Sequence, residues 1–295
     1  MYVVMGATGH TGQAIVHHLL RAGVPVRALG RNRQRLAPLA AAGAEVRAGD
    51  PADAEYLADA FRGAAAAYTL LPYEISAPGY HAAQDRQGEA IARALHSSRL
   101  RHCIALSSLG ADLEQGTGPI LSMRRQEQRL SAIDRLDLLV LRAGAFMENF
   151  HGALGSIRAC GWVGDAFAPD APLPMIAARD IAETAAWALL ARRWRGVEVR
   201  ELLGERDLSH AQATAILGER LGRADLEYRQ LDAGDAVDAL VGAGFAPDLA
   251  AAYVELAHSI NAGLIRSLQG RNPTNTTPTR FEDFAAELAQ AWRAM

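Results

Sequence analysis

Along the first 150 positions of the chain, short apolar runs alternate with longer stretches in which apolar residues recur at helical spacing. The run Tyr2-Val3-Val4-Met5 predicts a strand, and a helix is expected at residues 13–22. Further strands are expected at residues 24–29, 44–48, 64–71, 102–106 and 138–141, each closed by a Gly, Pro or polar signal or by the next helix. Helices are expected between them at residues 36–42, 54–61, 81–97 and 122–131. Strands that alternate with helices imply right-handed crossovers and a parallel sheet covered on both faces. The fold class expected is therefore α/β, a doubly wound parallel sheet of the Rossmann type.

The rhythm breaks after about residue 150, where Gly, Pro and Ala crowd residues 162–174. Helices are expected at residues 180–190, 209–221 (with Ser209 as N-cap) and 281–292, with a strand at 197–203 and a loop at 270–279. This predicts a dinucleotide-binding domain over residues 1–150, with 175–203 returning to its sheet. Residues 151–295 would form a small α-rich substrate lobe.

The chemistry starts where the first strand ends. Gly6, Gly9 and Gly12 are spaced three apart between a strand and a helix, the arrangement a dinucleotide pyrophosphate needs. Gly6 permits the turn, Gly9 lets backbone approach the phosphates, and Gly12 lets the helix pack closely. Thr8, His10 and Thr11 fill the loop and are expected to touch the cofactor. At the end of the second strand no carboxylate is available for a ribose 2′-hydroxyl. Arg31, supported by Arg33 or Arg35, faces a 2′-phosphate there, or forms a solvated basic turn. NADP(H) is expected over NAD(H). Asp50 is read as an acceptor for the adenine amine, as a helix N-cap, or as both. Leu70, Leu71 and Pro72, ending the fourth strand, are placed under the cofactor ribose.

Composition narrows the chemistry. The chain has 30 basic residues and no lysine, so every one is arginine. Schiff bases, P-loops and a Tyr-x-x-x-Lys relay are all excluded. A net charge of −3 gives no reason to expect nucleic acid or an anionic membrane as partner. With the first strand at the very start, no signal peptide is expected, and no apolar run is long enough to span a bilayer. Two cysteines, Cys103 and Cys160, could pair but read as reduced core residues of a cytoplasmic protein. No spaced His or Cys cluster suggests a metal site.

The order of motifs resembles the NmrA-like family of atypical short-chain dehydrogenase relatives. It is carried by residues 6–12 (GATGHTG), 27–32 (RALGRN), Gly49-Asp50, Ser107-Ser108, 141–149 (LRAGAFMEN), 178–182 (ARDIA), 201–204 (ELLG) and 279–284 (TRFEDF). The resemblance spans nearly the whole chain and implies a member of a group holding both NADPH-dependent quinone reductases and non-catalytic NADP-binding regulators. It places Met123, like Ser107 an expected cofactor contact, where many relatives keep a lysine, and Pro119 where the preceding tyrosine would stand. Ser107 matches the serine that polarises a carbonyl, or caps the next segment. Tyr73 and His81, after the fourth strand, are further proton-donor candidates, each alternatively structural. Phe146, Glu148 and Asn149 are expected to border the substrate pocket, the last two alternatively as a helix-start cap pair.

A ketone acceptor yields a basic alkoxide that needs a positioned acid, whereas a quinone yields a delocalised anion that water can protonate. The expected function is therefore NADPH-dependent hydride transfer to a quinone or similar small conjugated acceptor. The alternative is a redox sensor that binds NADP(H) and passes its occupancy to a regulatory protein partner. A dehydratase, epimerase or isoflavonoid-type reductase fits less well, because such enzymes generally use the missing lysine. The chain is expected to act on a small molecule, as a monomer or homodimer.

Overall fold

The computed structural model describes residues 1–294. β1 (Tyr2–Val4) runs through the glycine turn into α1 (His10–Arg21). The alternation continues through β2 (Val26–Gly30), α2 (Arg33–Ala41), β3 (Glu45–Ala48), α3 (Ala54–Phe61) and β4 (Ala66–Thr69). It then runs through α4 (Tyr80–Ser98), β5 (His102–Ser108), α5 (Ile120–Ser131) and β6 (Asp137–Ala143). Next come β7 (Ala145–Phe146), a 3₁₀ turn (Met147–Phe150), α6 (His151–Cys160), β8 (Val163–Asp165), β9 (Leu173–Ile176) and α7 (Ala178–Ala191). The chain finishes with β10 (Val197–Leu202), β11 (Asp207–Leu208), α8 (His210–Leu221), β12 (Tyr228–Gln230), α9 (Ala233–Gly242), α10 (Pro247–Asn261) and α11 (Phe281–Ala294).

Seven strands form one parallel sheet in the order β10-β6-β5-β4-β1-β2-β3. Chain order reverses between β1 and β4, and such a switch point opens a crevice at the carboxyl ends of the strands. Alternate strand residues feed two cores. Tyr2, Val4, Ala28, Tyr68, Ile104 and Leu141 pack on Ile15 and Leu19 of α1, Leu36 of α2 and Ile181 of α7. Val3, Met5, Leu29, Ala67, Cys103 and Val140 pack on Leu57 of α3, Ile91 of α4 and Leu130 of α5. Strands buried on both faces explain the unbroken apolar runs of the sequence.

A third core lies among the later elements, where Phe150, Leu154, Leu173, Leu217, Phe281 and Leu288 meet. Two small sheets belong to this part, β11-β9-β7 and β12-β8. Here the sequence reading needs correction. Only β10, of the stretch 175–203, lies in the main sheet, while β9 pairs with β7 and β11. β8 falls in the Gly- and Pro-rich stretch where no strand was expected. α8 does begin at a Ser209 cap, completed as a capping box by Gln212. The 270–279 loop is well anchored: Asn275 is fully buried and its amide donates to Gly270 O at 2.7 Å. Buried Asp180 does not cap α7; its carboxylate accepts from Thr279 N and Oγ1 at 3.1 and 2.6 Å, tying α7 to the chain ahead of α11.

Candidate functional site

The glycine loop sits at the carboxyl end of β1. Gly6 has φ +61°, and a Cβ there would lie 2.9 Å from Leu70 Cδ2. A Cβ on Gly12 would lie 2.3 Å from Gly6 O, so only glycine lets α1 come this close to the turn. A Cβ on Gly9 would meet nothing nearer than Gly6 O at 3.4 Å, and its Cα therefore faces open space. Gly9 is also the N-cap of α1, with no side-chain cap and no acidic residue in the first turn. The free N–H groups and positive end of α1 face that space, which suits a pyrophosphate.

Two recesses lie at the ends of β2 and β3. One, of about 290 Å³, is lined by Thr8, Arg31, Asn32 and Arg35; the other, of about 470 Å³, by Arg31, Ala48, Gly49 and Asp50. Arg31 is common to both. Asn32 caps α2, its Oδ1 accepting from Gln34 N and Arg35 N at 2.8 and 3.2 Å. The Arg31 guanidinium makes an exposed ion pair with Glu74 at 3.1 Å. Asp50 is not the cap of α3, since Asp53 takes that place and Asp50 Oδ1 accepts from Ala52 N at 2.8 Å. Its other carboxylate oxygen is left for the larger recess.

Two of the expected contacts, Thr11 and Leu71, turn inward instead. The Thr11 hydroxyl is buried and accepts from the Tyr68 hydroxyl at 3.0 Å, so Thr11 has only backbone to offer a phosphate. Leu71 is buried among Met5 and Leu29, while Leu70 covers Gly6. Pro72 O accepts from the Gln84 side chain at 3.0 Å.

The carboxyl ends of β5 and β6 are occupied by paired polar groups. Buried Ser107 donates its hydroxyl to Glu127 Oε1 at 2.5 Å. Glu127 in turn takes two bonds from Arg142, at 3.0 and 2.7 Å, and Asp112 lies 3.7 Å from the same guanidinium. Hydrogen bonding to Glu127 holds the Arg142 guanidinium firmly charged. Met123 lies half-buried one helical turn ahead of Glu127 and brings no charge. The sequence reading missed this pair, although an arginine inside the apolar run 138–143 was itself a signal, because a buried charge requires a partner.

His81 is no isolated histidine. Its Nδ1 lies 2.8 Å from Ser122 Oγ and 3.3 Å from Arg125, whose guanidinium also binds Asp85. Burial, then Arg125, lowers the His81 pKa, which favours the neutral ring. Exposed Tyr73 stands edge-on to buried Tyr80 at 6.1 Å. Phe146 is half-buried against the first core. Glu148 accepts from Ala178 N at 2.9 and 3.1 Å and so caps α7, a different helix from the one expected, while Asn149 is exposed. Burial raises the Glu148 pKa, opposed by that backbone bond and by His10 and Arg179. His10, at the start of α1, lies parallel to His151 with centroids 6.2 Å apart. Among the described residues no cluster of three His, Cys, Asp or Glu could hold a metal, and no helix is long and apolar enough to cross a membrane.

The residues of the glycine loop and of the two recesses fit a dinucleotide. An uncapped helix start, an open Cα and a two-arginine recess answer to its pyrophosphate and adenosine ends.

Known proteins share this architecture. An NADPH-dependent quinone oxidoreductase of Escherichia coli, complexed with NADPH, superposes with a TM-score of 0.76 at 23% identity, over 98% of this chain and 99% of that one. The triphenylmethane reductase of Citrobacter sp., complexed with NADP(H), gives 0.80 at 20% identity, over 98% and 100%. An NAD(P)H azoreductase of Xenophilus azovorans is 27% identical across the full length of both chains. The model of the NmrA-like family matches residues 2–285, and the chain belongs to that family.

Proposed function

We propose that this chain is an NADP(H)-dependent reductase that passes a hydride to a quinone or a similar small conjugated acceptor. The observation that carries the proposal is the contrast between its two ends. The adenosine end offers open, arginine-lined space around Arg31, whereas the polar groups at the ends of β5 and β6 are already paired. The named activities of the quinone oxidoreductase, triphenylmethane reductase and azoreductase relatives support the reading, since each reduces a conjugated acceptor.

In this reading the first N–H groups of α1 and the backbone at Gly9 hold the pyrophosphate. Arg31 and Arg35 hold the 2′-phosphate, Asp50 accepts from the adenine amine, and Leu70 supports the ribose. The bound dihydronicotinamide supplies the hydride. Phe146, Glu148 and Asn149 border the acceptor, and Ser107, Tyr73 and His81 remain the proton-donor candidates. Ser107 and His81 are not free acids, because Ser107 donates to Glu127 and His81 is bound to Ser122, with burial and Arg125 holding its pKa down, and Tyr73 is an exposed phenol. Positioning therefore supplies most of the rate, and the reduced acceptor takes its proton from water. The protein acts as a soluble cytoplasmic monomer or homodimer and needs no protein partner for this step.

The test is to follow NADPH absorbance with a panel of quinones and azo dyes. Oxidation well above the protein-free rate is expected. Tight NADPH binding with no turnover on any acceptor would leave only a sensor.

A further inference from the structure

Between β4 and α4 the chain crosses from the nucleotide side of the sheet towards α10. Its backbone is fixed at both ends of this crossing. Gln84 Nε2 donates to Pro72 O, Ala246 N donates to Ile75 O at 2.7 Å, and Asp248 Oδ2 accepts from Gly79 N and Tyr80 N at 3.0 and 2.8 Å. Glu74 lies within this strap and directs its carboxylate to Arg31, 3.1 Å away. Both side chains are about half exposed, at 53% and 52%, and share a single contact. Such a pair is weak and readily exchanged for a better partner.

We infer that Glu74 sets the size of this site's preference between NADPH and NADH, resting on the proposal that Arg31 receives the 2′-phosphate. The physics is a competition for one guanidinium. A 2′-phosphate offers Arg31 more charge and a bidentate partner, so it displaces the carboxylate. The anchored strap then keeps Glu74 close to the bound phosphate, and two anions side by side repel. A 2′-hydroxyl leaves the Arg31–Glu74 pair in place and donates to Glu74. Glu74 thus opposes NADPH and accommodates NADH, while Arg31 does the reverse. Asp50, on the far rim of the larger recess, stands near the adenine in both cases and does not discriminate.

The experiment measures equilibrium dissociation constants of NADPH and NADH, and of adenosine 2′-phosphate as a fragment, by calorimetry. Wild-type protein, Glu74→Gln and Arg31→Ala are compared, with circular dichroism checking each fold. Glu74→Gln removes the charge, keeps an oxygen acceptor and lies on the surface. It should tighten NADPH and adenosine 2′-phosphate about fivefold, the scale of an exposed ion pair, and leave NADH within about twofold. Preference lost in Arg31→Ala but unmoved in Glu74→Gln would overturn this inference alone. Preference that survives Arg31→Ala would overturn the reading beneath it as well.

Discussion

The two ends of the crevice solve opposite problems. At the adenosine end, an uncapped helix start, the open Cα of Gly9 and the recesses around Arg31 and Arg35 leave donors facing space. At the ends of β5 and β6, Ser107, Glu127 and Arg142 spend their hydrogen bonds on one another, as His81 of α4 and Ser122 of α5 do on each other. The first region leaves donors that suit an anion; the second has its polar groups paired within the protein. Binding and chemistry therefore make different demands on this chain.

That comparison breaks most visibly if the closed region is cut. Arg142→Ala leaves the largely buried Glu127 carboxylate, 12% exposed, without its cation and should cost about 3 kcal/mol in urea unfolding. A loss under 1 kcal/mol would mean the pair is solvated and the region is not closed. Next in size is the contrast within the glycine loop. Gly12→Ala drives a Cβ into Gly6 O and should cost about 1–3 kcal/mol of stability by overpacking. Gly9→Ala meets only an ordinary contact, so its melting temperature should hold within a few degrees while NADPH affinity falls at least about tenfold, roughly 1.4 kcal/mol. Equal effects on both properties in both variants would refute the assigned roles.

A third prediction concerns the later part of the chain, outside both ends of the crevice. Burial pushes the Asp165 carboxyl up to about 6, opposed by its bond from Ala166 N. The folded protein then binds the proton more tightly than the unfolded chain. Stability contributed here is present below the unfolded value and is lost as pH rises through about 6. Asp165→Asn should stabilise the protein at pH 8 by up to about 3 kcal/mol, and by almost nothing at pH 4. A gain that does not change with pH would refute the assignment. The smallest expected effect is at Ser107. With its proton already given to Glu127, Ser107→Ala should lower kcat less than about fivefold, against the 100-fold or more typical of a working general acid.

How much of this could be read in advance depended on how local each signal was. The glycine loop was legible because Gly6 needs positive φ and Gly12 needs close packing, both imposed by neighbours in sequence. The Ser209 cap and the strand-helix alternation were legible for the same reason. The β8 and β9 strands were not, because Gly- and Pro-rich segments form strands only when remote partners supply the ladder, here β12 for β8 and β7 with β11 for β9. Asp50 and Glu148 were recognised as capping types, but the helix starts they serve depend on turn geometry and on folding. Asp53 takes the expected cap of α3, and Glu148 reaches α7, 30 residues ahead. Ser107 was found, but its partner Glu127, on the next helix, was not. Glu74 gave no signal, because its meaning comes only from the 3.1 Å approach to Arg31 across the crevice.

In the proposed reaction, hydride transfer proceeds without an acid of the protein. It is tested most directly by mixing the NADPH-loaded protein with a quinone in a single turnover and following NADPH absorbance from pH 6 to 8.5. Oxidation is expected with a rate constant that changes less than about threefold across that range and is kept in Ser107→Ala, Tyr73→Phe and His81→Phe. No oxidation of bound NADPH would overturn this reading, as would a rate that follows one ionisation and loses that dependence in any of the three variants.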